Sequence, residues 1–235
     1  HALSYLADEW SVFPTCVPIL NRPGYCESHG RCTKPGKVPI IKWGVYQDRL
    51  PTKQELHSWW RRTPTANIGL ATGLTSDVVV VDLDGEIALA EAARRGYETG
   101  LWVRTGRVGG RHLYFRYRPD APTIFAKVGG IDFRGQGGFV LLPPSLHHTG
   151  NRYAWGEPYL RGEPLPSLPT WVDELATTTE SGDQRGPIDF GQLVTQGVPE
   201  GQRDQELFRA AAKLRGADVP YDLACMLIQQ AADAC

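Results

Sequence analysis

The sequence lacks the features of a membrane protein and of a protein that binds nucleic acid by overall charge. No run of residues is long and apolar enough to cross a bilayer, and the chain opens with no signal-peptide pattern. The formal net charge is −1, so any contact with nucleic acid must come from a local patch. We therefore expect a cytoplasmic protein without membrane contact, and we look for its function in local clusters.

Cysteine is scarce, and its distribution argues against a secreted disulfide framework. The chain has five cysteines, an odd number, and Cys16, Cys26 and Cys32 crowd into one Pro- and Gly-rich segment. With His29 they offer three thiolates and an imidazole, which suit a tetrahedral structural Zn²⁺. The alternative is that Cys16 is a small buried residue and His29 a surface residue. Cys225 lies between apolar residues of a C-terminal helix and is predicted to be buried.

Apolar periodicity predicts an α+β fold with a mixed or antiparallel sheet. Thr52 and Glu55 form a capping-box pattern at the start of one helix, and EIALAEAARR predicts another that is closed by Gly96. The segments NIGLA and VVVVDL predict two strands, and LWVRTGRVGGRHLYFRY predicts a hairpin. IDFRGQGGFVLL predicts a further pair of strands, and NRYAW a last short one.

Composition changes along the chain predict its organisation. Residues 1–172 form the main domain, in which 14–39 are an insertion carrying the Cys and His residues. Residues 173–199 are rich in turn-forming residues and are predicted to be a linker. Residues 200–235 are predicted to form a small C-terminal helical segment.

The segment VVVVDLDG places two carboxylates at the end of a buried strand. Because side chains alternate along a strand, Asp82 and Asp84 should share one face while Leu83 points into the core. Two ionised carboxylates repel each other, and Mg²⁺ between them would fit because it favours oxygen ligands. Asp132 alternates with apolar neighbours on a later strand and is a candidate third ligand. The alternative is that Asp84 is a turn former or a helix cap.

The stretch 99–119 contains five arginines and no acidic residue. On its second strand, His112, Tyr114 and Arg116 are expected on a polar face opposite Leu113 and Phe115. The paired glycines before the histidine would leave room for it to approach a phosphate. Beside a metal held by carboxylates, such a stretch suits a nucleoside triphosphate or a nucleic-acid backbone. The alternative is a solvated surface.

The segments VVVVDLDG, GGRH and IDFRGQGGFVLLPPSLHH resemble the three active-site motifs of the archaeo-eukaryotic primase superfamily. They are most similar to the bifunctional primase-polymerase domains of plasmids, phages and CRISPR-linked proteins. ALSYLADEWSVFP and ELHSWWRRTPTANIGLATG also resemble that family, and EGQRDQELFRAAAKLRG resembles the small helical domain that often follows. The resemblance implies an RRM-like primase-polymerase catalytic core in 1–172, with a zinc-binding insertion.

The resemblance also implies an activity and a set of site residues. Asp82, Asp84 and Asp132 would hold two Mg²⁺ or Mn²⁺ ions, and His112 would contact the phosphates of the incoming nucleotide. The implied activity is template-directed nucleotidyl transfer by a DNA primase or DNA polymerase, with single-stranded DNA template, primer and (d)NTPs as partners. A helicase domain or a CRISPR or replication protein is a further candidate partner. Additional candidates for nucleotide binding are Arg111, Arg134, Ser145 and His147.

Two other functions fit parts of the sequence. VVVVDLDGE resembles the first motif of haloacid-dehalogenase-type phosphatases, in which the first aspartate becomes phosphorylated. That chemistry needs a later lysine and a later acidic pair, and Lys213 is the only lysine after Asp132. The third interpretation is a non-catalytic, zinc-stabilised module that holds single strands through arginines and aromatic residues.

Overall fold

The computed structural model describes residues 1–97, 101–121, 124–128, 130–156, 164–182, 190–196, 207, 210, 214 and 221–233. The chain forms two compact units, His1–Gly182 and Asp183–Cys235. None of the helices in the described ranges is long and apolar enough to span a membrane.

The first unit combines helices and strands, which confirms the predicted α+β class. Its helices are α1 (Ala2–Ala7), α2 (Lys53–Arg62), α3 (Glu86–Arg94) and α4 (Trp171–Gly182), with 3-10 turns at Gly44–Gln47 and Leu74–Ser76. Its first strands are β1 (Val12–Thr15), β2 (Tyr25–Cys26), β3 (Gly30–Arg31), β4 (Asn67–Ala71), β5 (Val78–Leu83) and β6 (Trp102–Arg104). They are followed by β7 (Arg111–Arg116), β8 (Ile124–Val128), β9 (Ile131–Arg134), β10 (Phe139–Leu142) and β11 (Ala154–Trp155).

The strands form three sheets. A six-stranded sheet has the order β11-β6-β7-β5-β9-β8, a three-stranded sheet has the order β1-β4-β10, and β2 pairs with β3. The described strand pairs are all antiparallel. Strands that are consecutive in sequence often separate: β4 and β5 join different sheets, and so do β9 and β10. The segment GQGG therefore connects two sheets.

Strand β5 is the centre of the core because both of its faces are covered. Val78 and Val80 belong to a cluster that includes residues of the three-stranded sheet, such as Leu70. Val79 and Val81 belong to a second cluster, which includes residues of α3 and α4. This burial on both sides explains the uninterrupted run of valines, since a strand with one solvated face would alternate between apolar and polar residues.

The prediction of a polar face on β7 is wrong for Tyr114. This residue is fully buried in the cluster between the two larger sheets, where its ring stacks on Trp10 at 5.8 Å. The face that sequence alternation identified as polar is apolar along much of its length because a second sheet covers it. His112 lies at the end of this face where the site is found, whereas Arg116 lies at the opposite end, beside Asp77.

Local signals predicted helix starts better than they predicted the linker. Thr52 and Glu55 form the expected capping box, with Glu55 N donating to Thr52 Oγ1 at 3.1 Å. The predicted linker at 173–199 contains most of α4 and a further helix, α5 (Phe190–Gln196). Helix α4 forms because Val172 and Leu175 are buried in the second cluster, which stabilises a segment of weak helix propensity.

The second unit contains α5 and α6 (Tyr221–Asp233). Its buried residues include Leu193 and Ala231, with Ile228 packed against them. Cys225 is exposed on α6, so its predicted burial is wrong. The predicted helix before Gly216 falls mostly outside the described residues.

Candidate active site and metal centre

Three predicted site residues form one row across the middle of the six-stranded sheet. In the strand register, Asp82 of β5 lies opposite His112 of β7 on one side and opposite Asp132 of β9 on the other. Residues that are directly opposed in antiparallel strands project from the same face. We call Asp82, Asp84 and Asp132 the acidic group.

Asp84 joins this row from just beyond the end of β5. Its backbone N–H donates to Gly130 O at 2.9 Å, which ties it to the start of β9. Asp84 and Asp82 line one small cavity together with His112, Lys37, Arg107 and His147. The alternation in DLD therefore predicted the shared location of the two aspartates.

Each aspartate of the acidic group lies beside a basic side chain. Arg107 Nη1 is 3.4 Å from Asp84 Oδ2, and Arg134 Nη2 donates to Asp132 Oδ2 at 3.2 Å. His112 Nε2 is 3.5 Å from Asp82 Oδ1. The positive charges of the arginines, and of Lys37 in the same cavity, offset the repulsion expected between the carboxylates.

His112 is buried and neutral at physiological pH. Only 5% of it is exposed, and its pKa is lowered to about 3, chiefly by burial and then by the positive charges of Lys37 and Arg134. Its ring centroid lies 5.6 Å from that of Tyr153. The imidazole therefore supplies hydrogen bonds to the site rather than charge.

Lys37 adds a half-buried cation to the acidic group. Burial lowers the pKa of its ammonium group, and the negative charges of Asp82 and Asp84 oppose that effect. Lys37 lies on the loop that follows the cysteines, and no local pattern indicates that it reaches the acidic group.

Cys16, Cys26, His29 and Cys32 come together as their spacing predicted. Their ligand atoms all lie within 4.8 Å of one another, and we call these four residues the Cys/His cluster. The three cysteines are buried and His29 is exposed. Burial raises the pKa of the Cys26 thiol. Three sulfur donors and one imidazole nitrogen fit Zn²⁺.

The Cys/His cluster is tighter than the acidic group. Within the described ranges, it is the one set of three or more Cys, His, Asp or Glu residues whose ligand atoms approach this closely. The hairpin of β2 and β3 supports the cluster, and Gly30 in this hairpin has a positive φ of 74°. Such a backbone conformation favours glycine.

A comparison with protein families gave a match over most of the chain. Residues 2–171 match the family model for the bifunctional DNA primase/polymerase, N-terminal domain, or Prim-Pol. The chain belongs to the Prim-Pol family. No curated protein is a significant match. Prim-Pol membership supports a DNA primase or polymerase of the nucleotidyltransferase type, with DNA and nucleotides as substrates, and favours neither the phosphatase nor the non-catalytic binding module.

The four additional nucleotide-binding candidates of the Prim-Pol chain separate into two pairs. Arg134 and His147 lie at the site, the first beside Asp132 and the second in the cavity with Asp84. Arg111 points to the opposite face from His112, where its guanidinium lies over Trp102 at 4.2 Å. Ser145 is buried, and its Oγ accepts from Ile68 N at 2.9 Å. Arg111 lies away from the site because side chains alternate along β7. Ser145 lies away from it because its hydroxyl is bonded to Ile68 of β4.

Two of the glycines before His112, Gly106 and Gly110, lie in close contact with protein side chains. A Cβ on Gly106 would lie 2.1 Å from His147 Cβ, and one on Gly110 would lie 2.2 Å from Thr105 Oγ1. Both distances are far shorter than a van der Waals contact, so a side chain at either position would clash. The Gly-rich turn therefore packs tightly against the residues that surround the acidic group.

Asn67 fastens two loops of the Prim-Pol site to β4. Its Nδ2 donates to Leu146 O at 2.8 Å and to Gly36 O at 3.2 Å, and its Oδ1 accepts from Leu146 N at 2.7 Å. These loops carry His147 and Lys37. The sequence offered no signal for this role because the bonded residues are distant along the chain.

A groove of about 780 Å³ lies beside this attachment. Asn67 and Ser145 contribute to its wall, Trp60 and Arg61 of α2 line it, and Arg152 does so from the loop before β11. Trp60 Nε1 donates to Ala66 O at 3.2 Å, which fixes the orientation of the indole ring. The groove thus combines an aromatic ring with two guanidinium groups.

Proposed function

We propose that this chain performs template-directed nucleotidyl transfer by a two-metal mechanism, as a DNA primase, a DNA polymerase or both. The observation that carries the proposal is the register that sets Asp82 between His112 and Asp132. The carboxylate donors of the acidic group fit Mg²⁺ or Mn²⁺, which prefer oxygen ligands. Two such ions, when bound, would activate the attacking 3′-hydroxyl oxygen and stabilise the leaving pyrophosphate.

The side chains of the site would divide the remaining work. The neutral His112 would donate a hydrogen bond to a phosphate oxygen of the incoming nucleotide. Arg107 and Arg134 would stabilise negative charge on the phosphoryl oxygens, because a guanidinium that pairs with a carboxylate can also pair with phosphate. Zn²⁺ in the Cys/His cluster would be structural, since four protein ligands leave no open position.

We assign the template strand to the groove beside Asn67. Trp60 offers a ring against which a base can stack, and Arg61 and Arg152 are exposed cations that can pair with phosphates. Replacing both arginines with glutamine should weaken binding of single-stranded DNA and leave binding of free nucleotide unchanged. Equal weakening of both ligands would contradict this assignment.

The wider biological setting follows the resemblance. We propose replication of a plasmid, a phage or a CRISPR-linked system as the context, a helicase or replication protein as a partner, and the cytoplasm as the location. An RRM-like core remains part of this proposal, as do the catalytic domain at 1–172 and a separate helical segment at 200–235.

Primer extension tests the proposed activity. The protein would be incubated with a single-stranded template, with and without primer, Mn²⁺ and each class of labelled nucleotide. We expect incorporation that EDTA abolishes and that Asp82→Asn loses. Asp120→Asn is the matched control because Asp120 is exposed and lies beside Arg118, away from the site. Absence of incorporation by the unmodified protein under all these conditions would refute the proposal.

Two further assays separate the rival functions. Release of phosphate from a small phosphomonoester without nucleotide incorporation would favour the phosphatase. Binding of single strands that is insensitive to EDTA, again without incorporation, would favour the binding module.

A further inference from the structure

We propose that Lys37 binds the triphosphate of the incoming nucleotide and that the Cys/His cluster holds it in position. Occupancy of that cluster and nucleotide affinity would then be thermodynamically coupled. The inference rests on the proposed function, and it assigns a role to a residue outside the recognised motifs.

Lys37 lies close to the acidic group. It lines the same cavity as Asp82, Asp84 and His112. Its charge also acts on the second histidine of the cavity, His147. A lysine ammonium is a compact cation with three donors, which suits phosphate oxygens.

The charge balance carries the second step. In the cavity region the three carboxylates of the acidic group are offset by the cations Lys37, Arg107 and Arg134. Two divalent cations and a triphosphate would nearly neutralise each other when they bind together. When divalent cations occupy the carboxylates, Lys37, Arg107 and Arg134 would be able to pair with the phosphates.

The backbone next to Lys37 contacts the Cys/His cluster. Val38 N donates to Cys16 Sγ at 3.4 Å, and Cys16 N donates to Val38 O at 2.8 Å. The backbone of Gly36 lowers the thiol pKa of Cys16 and of Cys26, against the larger effect of burial, so it lies close to both sulfurs. The residues on both sides of Lys37 are therefore attached to the Cys/His cluster.

A second set of contacts fixes the same loop to the sheet. Gly36 O accepts from Thr15 Oγ1 at 3.0 Å and from Asn67 Nδ2 at 3.2 Å. Gly36 has a positive φ of 86°, a backbone conformation that favours glycine. The sheet contacts hold Gly36, before Lys37, whereas Val38, after Lys37, is held by Cys16. Loss of the sulfur geometry would therefore release the chain on one side of Lys37 and shift its side chain.

The test is nucleotide binding without catalysis. Affinity for a dNTP with Mg²⁺ would be measured by calorimetry in the absence of primer and template, so that no turnover occurs. Lys37→Gln removes a charge-assisted hydrogen bond to phosphate and should weaken binding about 10- to 100-fold, and Lys37→Arg should weaken it less. Lys34→Gln is the matched control because Lys34 is exposed on the same loop. Unchanged affinity in a folded Lys37→Gln variant would overturn the assignment.

The coupling is tested by a thermodynamic cycle. Zinc would be removed from the unmodified protein and from Lys37→Gln, and nucleotide affinity measured in all four states. We expect zinc removal to weaken nucleotide binding in the unmodified protein and to have little further effect in the variant. Equal effects of zinc removal in both proteins would show that the metal does not act through Lys37.

A reciprocal measurement covers the case in which zinc-free protein unfolds. By linkage, bound nucleotide should raise zinc affinity in competition with a zinc-selective chelator, and it should fail to do so in Lys37→Gln. A nucleotide effect of the same size in both proteins would refute the coupling. Primer extension by the unmodified protein separates the two proposals: if it fails, the proposed function falls, whereas extension with an unaffected Lys37→Gln overturns only the role of Lys37.

Discussion

The Cys/His cluster and the acidic group are two sets of side chains of the types that bind metals, both in one unit, and they are built in opposite ways. The four ligand atoms of the Cys/His cluster lie within 4.8 Å of one another. In the acidic group, Arg107 forms an ion pair with Asp84, and Arg134 forms one with Asp132. The first set is held together by its own packing, whereas the second is held together by the cations around it.

Protonation explains the difference. A buried thiol can stay neutral, and burial raises the pKa of Cys16 and of Cys26, so the sulfurs can pack without counter-charges; Cys26 Sγ and Cys16 Sγ are 3.2 Å apart. Grouped carboxylates cannot pack in this way while they are ionised. The comparison teaches that a closed set of thiols suits a permanent structural ion, while compensated carboxylates suit ions that come and go with a substrate.

The largest expected effect comes from opening the Cys/His cluster. Cys26→Ser should remove bound zinc, as measured by elemental analysis, because an alcohol is a poor replacement for a thiolate ligand. Metal binding contributes directly to folding stability, so we expect the unfolding free energy to fall by several kcal/mol and the melting temperature by about 10 °C.

Cys225→Ser is the matched control for this variant, since Cys225 is exposed on α6. It should retain zinc and its melting temperature. Absence of zinc from the unmodified protein would mean that the cluster is not a zinc site.

Asp132→Asn should lower activity strongly while leaving stability and zinc content nearly unchanged. Mutation of a residue that supports a metal ligand typically lowers metal affinity or activity about 10- to 100-fold. Loss of a ligand itself should therefore reduce primer extension more than about 100-fold. The unfolding free energy should change by less than about 1 kcal/mol, because asparagine keeps the shape of the side chain and relieves carboxylate repulsion. Zinc content should be unchanged.

Glu91→Gln is a useful comparison on the same unit. Glu91 pairs with Arg94 and Arg95 on α3, outside the acidic group, so extension should continue at the normal rate. If Asp132→Asn extended primers at that rate too, Asp132 would not be a ligand.

Acid should destabilise the region around the acidic group even without zinc. The pKa of His112 is lowered to about 3 and that of His147 to about 4, in both cases mainly by burial. Below pH 6.5 the unfolded chain gains protons that the folded protein does not take up, so the unfolding free energy falls as pH falls toward those values. The slope is about 1.4 kcal/mol per pH unit for each histidine.

Thermal unfolding of zinc-free protein between pH 7 and pH 5 measures this effect, because removing zinc excludes loss of metal as the cause. His112→Gln should show a shallower dependence on pH. His57→Gln should leave the dependence unaltered, since His57 is exposed on α2. Equal slopes in all three proteins would mean that His112 does not contribute.

The sequence contained enough information to place the acidic residues near one another. Alternation in VVVVDLDG and in IDFR, together with the motif order, predicted that Asp82 and Asp132 would meet, and the register of β5 and β9 brings them face to face. Short spacing in CESHGRC likewise predicted the Cys/His cluster, because three ligands separated by tight turns have few ways to diverge.

The sequence could not predict the parts of the site that depend on long-range packing. Lys37 reaches the cavity because Asn67 and the cysteine sulfurs hold its loop, and none of these contacts is local. Arg111 was expected at the site from its place in GGRH, but the parity of the strand directs it away. The burial of Tyr114 required knowledge that a second sheet covers that face, which periodicity in a single strand does not contain.

The smallest expected effect tests whether cations hold the acidic group together. Arg134→Gln removes the positive charge 3.2 Å from Asp132 Oδ2 and so removes a competitor for divalent cations. Partly exposed ion pairs contribute about 0.2–1 kcal/mol, so we expect Mn²⁺ affinity without nucleotide to rise about two- to fivefold, measured by electron paramagnetic resonance. Arg116→Gln, which removes the exposed pair with Asp77, should leave Mn²⁺ affinity unchanged. Weaker Mn²⁺ binding in Arg134→Gln would mean that the arginine orients the carboxylate for the metal, and the contrast with the self-packed thiols would then fail.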